Sequence, residues 1–366
     1  MKRGFLRQFL FGSPAKAFGA WQIELTTRCP LRCKMCVREQ CPGRPRQDMA
    51  FEDFQKILPY LRDVESVVLE GWGESLLHPQ LVPVVRSAKK EGPQVGFVTS
   101  VMGLNPSSIE GLVDAGLDFM GFSLAGATPR THNSIRVHSD LDRLLQGIRS
   151  LQNLKARRRS EVPRLHIVYL LLKDNIAEAP QIIDLAHELE IREVILIHLA
   201  QVSNRWQDEQ KCFSRPGFPE FEKILQEVES KARRLKISLR CPPLSAREVP
   251  VCSEDPLRNL YISVTGNVSP CVYLNPPVDS PFLRIYDGKD FRIEKVKFGN
   301  IFQEPFEKIW HRGAYEDFRD SFLKRKKKFD ELYESLLNPD RLASLDQGPL
   351  PLPPQPCQTC HKMWGV

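Results

Sequence analysis

Cys29-Pro30-Leu31-Arg32-Cys33-Lys34-Met35-Cys36 places three thiols at the spacing C-x3-C-x2-C, directly after the apolar segment 23–26. Three close thiolates suit a soft metal, and they are one ligand short of a closed [4Fe–4S] or structural zinc site. An iron with an open position can bind a small molecule and pass it an electron. Half of a zinc knuckle completed by distant ligands is the lesser reading of the same spacing. Cys41 follows closely but lies outside the spacing, and reads as a packed or free thiol.

Around the triplet, hydrophobic periodicity alternates between strand and helix. Strands are predicted over 21–26, 66–70, 94–99, 118–124, 165–172 and 194–199, and helices over 51–61, 81–90, 106–115, 140–154 and 179–189. Such alternation implies right-handed crossovers and a parallel sheet covered by helices. Polar and glycine-rich stretches follow the strands, at 27–36, 71–75, 99–103, 123–136, 173–175 and 198–204. Function therefore belongs at the C-terminal edge of the sheet. Periodicity alone leaves a doubly wound open sheet and a partial barrel as alternatives.

The rhythm changes past about residue 205: a charged helix is predicted over 218–236, a short strand over 237–240 and a hairpin over 260–272. Pro270 in that hairpin predicts an edge position or a bulge. An irregular proline-rich portion precedes helices over 306–311 and 315–326, and Cys357-Gln358-Thr359-Cys360 lies near the end. These changes divide the chain into a leader (1–20), a barrel (21–205), a connecting helical region (206–240) and a cysteine-bearing domain (241–366).

The 366 residues, 27% charged and 42% hydrophobic, describe an ordinary globular protein. No apolar run approaches the roughly 20 residues that cross a bilayer. Arg7 and Gln8 interrupt the apolar start, which predicts a segment packed on the core and not an export signal. Ten cysteines in close-spaced groups predict metal sites in a reducing cytoplasm. The net charge of +7 gathers in Arg157-Arg158-Arg159 and 324–328; without interleaved aromatics these runs read as solvated helix surface, and nucleic acid is not expected as a partner.

The triplet resembles that of the radical S-adenosylmethionine (SAM) superfamily, in which three cysteines hold a [4Fe–4S] cluster and SAM chelates the fourth iron. The resemblance implies a partial (β/α)6 TIM-like barrel with Cys29, Cys33 and Cys36 as the cluster ligands. Gly71-Trp72-Gly73-Glu74 followed by Leu76-Leu77-His78-Pro79 resembles the family's Gly-Gly-Glu-Pro segment, with Trp72 between the glycines and Ser75 in the place of proline. It implies that Gly73 and Glu74 hold the SAM amino group. Ser123-Leu124-Ala125-Gly126, with Thr131-His132-Asn133 and Ile135-Arg136, resembles the segment after the fourth strand. Ser123 would contact SAM, and Arg136 would pair with its carboxylate. Asn175 would approach the ribose, Ile195 and Ile197 would flank adenine, and Thr99 and Ser100 would contact SAM or substrate.

Thirteen residues separate Cys252 from Gly266, and four more separate Gly266 from Cys271. This is similar to the C-x(9–15)-G-x4-C opening of SPASM and Twitch domains, small α+β iron–sulfur domains. With Cys357 and Cys360 it implies a second [4Fe–4S] cluster closed by four thiolates, in the shorter Twitch arrangement; on composition alone a four-cysteine zinc site is as acceptable. Cys212 and Cys241 are left over.

The resemblance implies reductive SAM cleavage to a 5′-deoxyadenosyl radical, hydrogen abstraction from a small polar substrate or peptide side chain, and electron transfer through the auxiliary cluster. Flavodoxin or ferredoxin would supply the electron. Substrate contacts are expected from the strand-end loops and 240–281, with Asn204, Arg205, Arg240 and Tyr273 as candidates; no general base is nominated. Metallocofactor assembly or carbon–carbon bond formation is the alternative within the superfamily, and a zinc-bearing nucleic-acid-binding or scaffold protein the alternative outside it.

Overall fold

A computed structural model describes residues 16–41, 43–337 and 348–366 of the chain. Most of the expected leader, residues 1–15, lies outside the described residues. At its inner end the Lys16 ammonium donates to the carbonyls of Val64 and Gly92 at 2.9 and 3.1 Å.

The predicted alternation holds from β1 (Phe18–Ile23) through α1 (Phe51–Gln55), β2 (Val64–Val68), α2 (Leu81–Lys90), β3 (Gln94–Thr99), α3 (Pro106–Asp114) and β4 (Phe119–Leu124). It continues with α4 (Pro129–Ile135), α5 (Leu141–Arg158), β5 (Arg164–Leu170), α6 (Ala179–Glu188) and β6 (Glu193–Ile197). The six strands pair in sequence order, all parallel. One face of the sheet meets the apolar stripes of the helices, where Val84, Val85, Leu144, Ile148, Ile182 and Ile183 are fully buried. The expected helix over 51–61 breaks after Gln55 into a 3-10 segment, Leu58–Asp63, because Pro59 has no N–H for an α-helical bond.

The connecting region contributes a further β/α unit. After α7 (Arg205–Glu209), α8 (Pro219–Leu235) packs beside α6 and leads into β7 (Ser238–Arg240), which pairs in parallel with β6. At the opposite edge the sheet grows again. β8 (Leu260–Ile262) lies parallel to β1 and antiparallel to β9 (Asn267–Ser269). The sheet thus runs on past the six barrel strands and across the expected boundary at 240/241.

The stretch before residue 306, expected to be irregular, contains a separate hairpin of β10 (Phe282–Tyr286) and β11 (Lys289–Ile293). Asp287 and Gly288, at φ +48° and +71°, form its two-residue turn. An Asp-Gly pair is a hairpin signal in its own right. β12 (Gly299–Asn300) then pairs with β9, so β9 has neighbours on both sides and ends at Ser269. Pro270 stops that strand and marks neither an edge nor a bulge.

Two α-helices follow, α9 (Phe306–Trp310) and α10 (Gly313–Leu337), and two 3-10 turns, Gln355–Cys357 and His361–Trp364, close the described order. Helix α10 carries the basic run 324–328, which is not wholly solvated surface: Arg325 is completely buried. Among the described residues, no helix is long and apolar enough to cross a membrane.

Candidate active site

The loop after β1 carries the three early thiols, and backbone bonds fix its path. Arg32 N donates to Val137 O and Lys34 N to Ile135 O, both at 3.0 Å, docking the loop on the end of α4. Arg38 lies beneath it with 2% exposure. Its Nε donates to Cys36 Sγ at 3.2 Å, and its terminal nitrogens donate to the Cys29 and Leu31 carbonyls at 3.4 and 3.1 Å. Burial pushes the Cys33 thiol up to about 11, and the sulfurs of Cys36 and Cys29 add to the shift. Burial raises Cys29 as well.

The loop after β2 lies against this one. A Cβ on Gly73 would overlap the Thr26 carbonyl, and one on Gly71 would overlap the Glu24 side chain, so the sequence needs glycine at both places. Glu74 N donates to Arg28 O at 2.8 Å. The Glu74 carboxylate accepts from Thr99 Oγ1 at 2.6 Å, Ser100 Oγ at 2.6 Å, Ser100 N at 2.8 Å and Leu76 N at 3.3 Å. Thr99 and Ser100 therefore hold Glu74. With its oxygens engaged in this way, Glu74 has only backbone groups left to offer a ligand. Burial raises the Glu74 carboxyl despite these donors.

A cavity of about 280 Å3 opens above the loops, lined by Cys29, Cys33, Cys36, Gly73, Glu74, Ser123 and Arg136 among others. The structure thus brings most of the sequence-predicted site together. Arg136 makes no ion pair among the described residues, and its Nε is buried without a partner, as expected of a cation awaiting an anionic ligand. Ile197 lines the cavity and Ile195 does not. Asn175 is a correction: it is fully buried, its amide bonds Ala125 O, Leu170 O and Leu172 N, and it does not line the cavity. Its role is to fasten the turn after β5, which sequence position alone does not distinguish from a ligand contact.

Cys252, Cys271, Cys357 and Cys360 also converge. Each of the first three is raised by burial and further by other members of the set, with Cys252 reaching about 12. Cys241 and Cys212 are absent from these interactions; the Cys241 thiol bonds Pro242 O at 3.7 Å, and Cys212 is fully buried. Two buried arginines hold the chain around the four. Arg284 donates to Pro356 O at 2.7 Å and Tyr273 O at 3.4 Å, joining the segments that carry Cys357 and Cys271. Arg325 donates to Pro250 O, Val249 O and Pro351 O and pairs with Glu248.

Of the other polar candidates, Tyr273 reaches the cavity, whereas Asn204 caps α7, Arg205 pairs with Asp290 and Arg240 pairs with Glu193. Sequence reasoning missed Arg38, Arg284, Glu24 and Glu70. Glu24 was open to notice as a lone acid between Ile23 and Leu25. It is buried, accepting Trp72 N at 2.8 Å and Val264 N at 3.2 Å.

A sequence profile of the radical SAM superfamily matches residues 23–186, and one of an iron-sulfur cluster-binding domain, SPASM, matches residues 252–335. The chain belongs to the radical SAM superfamily. It is 24% identical over 309 residues to a tungsten-containing aldehyde ferredoxin oxidoreductase cofactor-modifying protein of Pyrococcus furiosus, covering 81% of this chain and 82% of that one. It is 26% identical over 308 residues to a PqqA peptide cyclase of Methylobacterium nodulans, covering 81% and 74%. Among solved structures, SuiB of Streptococcus suis bound to S-adenosylmethionine aligns with a TM-score of 0.62 at 13% identity, over 82% of this chain and 67% of that one. Native anSMEcpe with bound AdoMet aligns at 0.58 and 13% identity, over 82% of each chain.

This radical SAM enzyme uses SAM and two [4Fe–4S] clusters, and the zinc-bearing scaffold alternative is set aside. The residues present fit these groups. Thiols give up their protons to solvent as a soft metal binds, one set supplies three sulfurs and the other four, and Arg136, its Nε buried without a partner, lines the cavity of the three. Among the described residues, no three of His, Cys, Asp or Glu lie close enough to hold a single ion. A four-iron cube spreads its ligands over its corners and does not require that convergence.

Proposed function

We propose that Cys29, Cys33 and Cys36 hold the SAM-binding cluster, and that Cys252, Cys271, Cys357 and Cys360 close the auxiliary one. When bound, the first cluster would supply the one electron that breaks the S–C5′ bond of SAM, giving methionine and a 5′-deoxyadenosyl radical able to take hydrogen from a carbon of a small polar substrate or a peptide side chain. Arg136 binds the SAM carboxylate, Ser123 stands at its flank, and the backbone at Gly73 and Glu74 receives its amino group. Thr99 and Ser100 keep the Glu74 loop in place. Arg38 sets the Cys36 sulfur by donating to it. A fully thiolate-ligated auxiliary site has no open iron, which suits it to accept an electron as the substrate is oxidised.

The single observation that carries this reading is the placement of the two thiol sets. Cys271 borders a cavity that shares Glu70, Gly71, Trp72 and Tyr273 with the cavity of the three early thiols. Modification of a metal cofactor is the second reading, favoured by the likeness to the Pyrococcus cofactor-modifying protein over four-fifths of the chain. A low-potential acidic donor such as flavodoxin or ferredoxin suits the net charge of +7. The ten cysteines are all free of disulfides, which supports a cytoplasmic location.

Anaerobic reconstitution tests the assignment. The wild-type chain should hold about eight irons and cleave SAM under dithionite. Cys36→Ala should lose about four irons and all cleavage, whereas Cys360→Ala should lose about four and retain cleavage uncoupled from product. SAM cleavage surviving in Cys36→Ala would rule out the first site.

A further inference from the structure

The cavity beside the thiol cavity has a volume of about 390 Å3. Its walls are Ala20, Gln22 and Val68 from β1 and β2, together with Glu254, Cys271 and Tyr273 from the auxiliary part of the chain. It borders Cys271 of the four-thiol set and shares Glu70, Gly71, Trp72 and Tyr273 with the cavity of the three-thiol set, a position that suits a substrate losing hydrogen toward one and an electron toward the other. At about 30 Å3 per water it holds the equivalent of roughly a dozen waters. That is room for one side chain or a sugar-sized group.

The charge of its lining is one-sided. No lysine, arginine or histidine lines it, and its charged residues are Glu70 and Glu254. Glu254 is matched by Lys362 at 3.5 Å. Glu70, which faces both cavities, makes no ion pair among the described residues. Burial holds its carboxyl up near 7; Glu74 and Glu254 push in the same direction, while the Val98 amide and Arg136 oppose them. Arg136 is the cation assigned to the SAM carboxylate, so SAM binding removes it as a partner. A desolvated carboxylate among like charges is stabilised most by a cation entering the same space. Trp72 and Tyr273 line both cavities with ring centroids 6.4 Å apart, edge to face; the Lys362 ammonium already lies 5.9 Å from the Tyr273 centroid, and the Trp72 ring carries the same attraction for an entering cation.

We propose that this chamber receives its substrate through a protonated amine on a short arm, held between the Glu70 carboxylate and the Trp72–Tyr273 pair. The inference rests on the assignment of the adjoining cavity to SAM and adds the substrate's charge class to it. The ammonium anchors the substrate with its reacting carbon toward the three-thiol side.

The test is calorimetric titration of the anaerobically reconstituted full chain with SAM present, using n-butylammonium as the probe and n-butanol and n-butyrate as its neutral and anionic matches. Butylammonium should bind at least tenfold more tightly than either. Glu70→Gln should lower that preference at least fivefold, and Glu70→Asp should retain most of it. Equal binding of the three probes, or a preference undiminished in Glu70→Gln, overturns the proposal. So does an equal loss of SAM affinity in Glu70→Gln, because the carboxylate would then serve the SAM amino group. Iron content and SAM affinity of the wild-type sample separate the two levels: if both are present and the preference is absent, only the amine fails; if SAM does not bind, both readings fail.

Discussion

Glu74 and Glu70 stand four residues apart, and their neighbours set them different tasks. Glu74 accepts four hydrogen bonds, two of them from hydroxyls. In Glu74→Gln an amide nitrogen replaces one acceptor and meets donors it cannot bond. An unsatisfied buried donor costs about 1–3 kcal/mol. Urea unfolding of the metal-free protein should show a loss of that size, with weaker SAM binding after reconstitution; unchanged stability would mean that the network rearranges. Burial raises both carboxyls, and Glu70, with fewer donors to offset it, carries the clearer pH dependence. Its carboxyl is raised from 4.5 to about 7 in the fold, so the native state binds the proton more tightly than the unfolded chain does. Stability is therefore fullest below about 4.5 and declines as pH rises through 7, by at most about 3 kcal/mol from this group. Glu70→Gln should flatten that decline in metal-free unfolding curves measured between pH 5 and 8. Much of the site was legible at this scale, because Gly73, Glu74, Ser123 and Arg136 occupy recognisable segments. The partners Thr99 and Ser100 lie 25 and 26 residues from Glu74, and no local spacing reveals such a bond. A polar residue after a strand looks the same in sequence whether it faces a ligand or ties its own backbone, and Asn175 does the second.

Helices and strands were legible where hydrophobic period and length agreed, as in α2 and β3, whose bounds match the expectation at both ends. Short elements escaped it. β7 has three residues and is recognisable as a sheet strand only through its pairing with β6, and the β10–β11 hairpin was obscured by flanking prolines despite its Asp-Gly turn. Helix α10 gives the clearest lesson. Its basic run contains four lysines that are exposed or half-buried and one arginine with no exposure at all, a difference the charge pattern does not carry. Arg325 spans the strand of chain before Cys252 and the proline arm before Cys357, satisfying three carbonyls and Glu248. Arg325→Met should release both segments while sparing the barrel. The expected result is a fall from about eight irons to about four, a loss of about 3–5 kcal/mol where the buried partners are left unpaired, and retained SAM binding. Lys324→Met and Lys326→Met should keep the full iron content, and a loss of iron in these controls equal to that in Arg325→Met would refute the buried-staple explanation.

At the scale of the whole molecule, the two iron–sulfur regions share one sheet. β8 pairs with β1, continues the barrel sheet in parallel and carries β9 and β12 beyond it. Around the same strand, Trp21 and Phe18 pack on Phe306 with ring centroids 4.6 and 5.4 Å apart, so the first barrel strand buries its outer face against α9. Glu24 closes the joint from within, accepting one amide from the SAM-side loop and one from the auxiliary hairpin. Removing everything after residue 240 would expose the β1 edge, uncover this aromatic cluster and leave Glu24 with one donor. Exposure of two aromatic side chains alone costs several kcal/mol at about 25 cal/mol per Å2, comparable with the whole stability of a domain. Residues 16–240 should therefore fail to give a cooperative unfolding transition, and the full chain should unfold in one step. That is measured by following far-UV circular dichroism, tryptophan fluorescence and the visible absorbance of the clusters through one anaerobic urea titration. Coincident midpoints are expected. A well-folded 16–240 fragment that retains its three-thiol cluster would show instead that the shared sheet contributes little, and that the electron path between the two sites depends on docking alone.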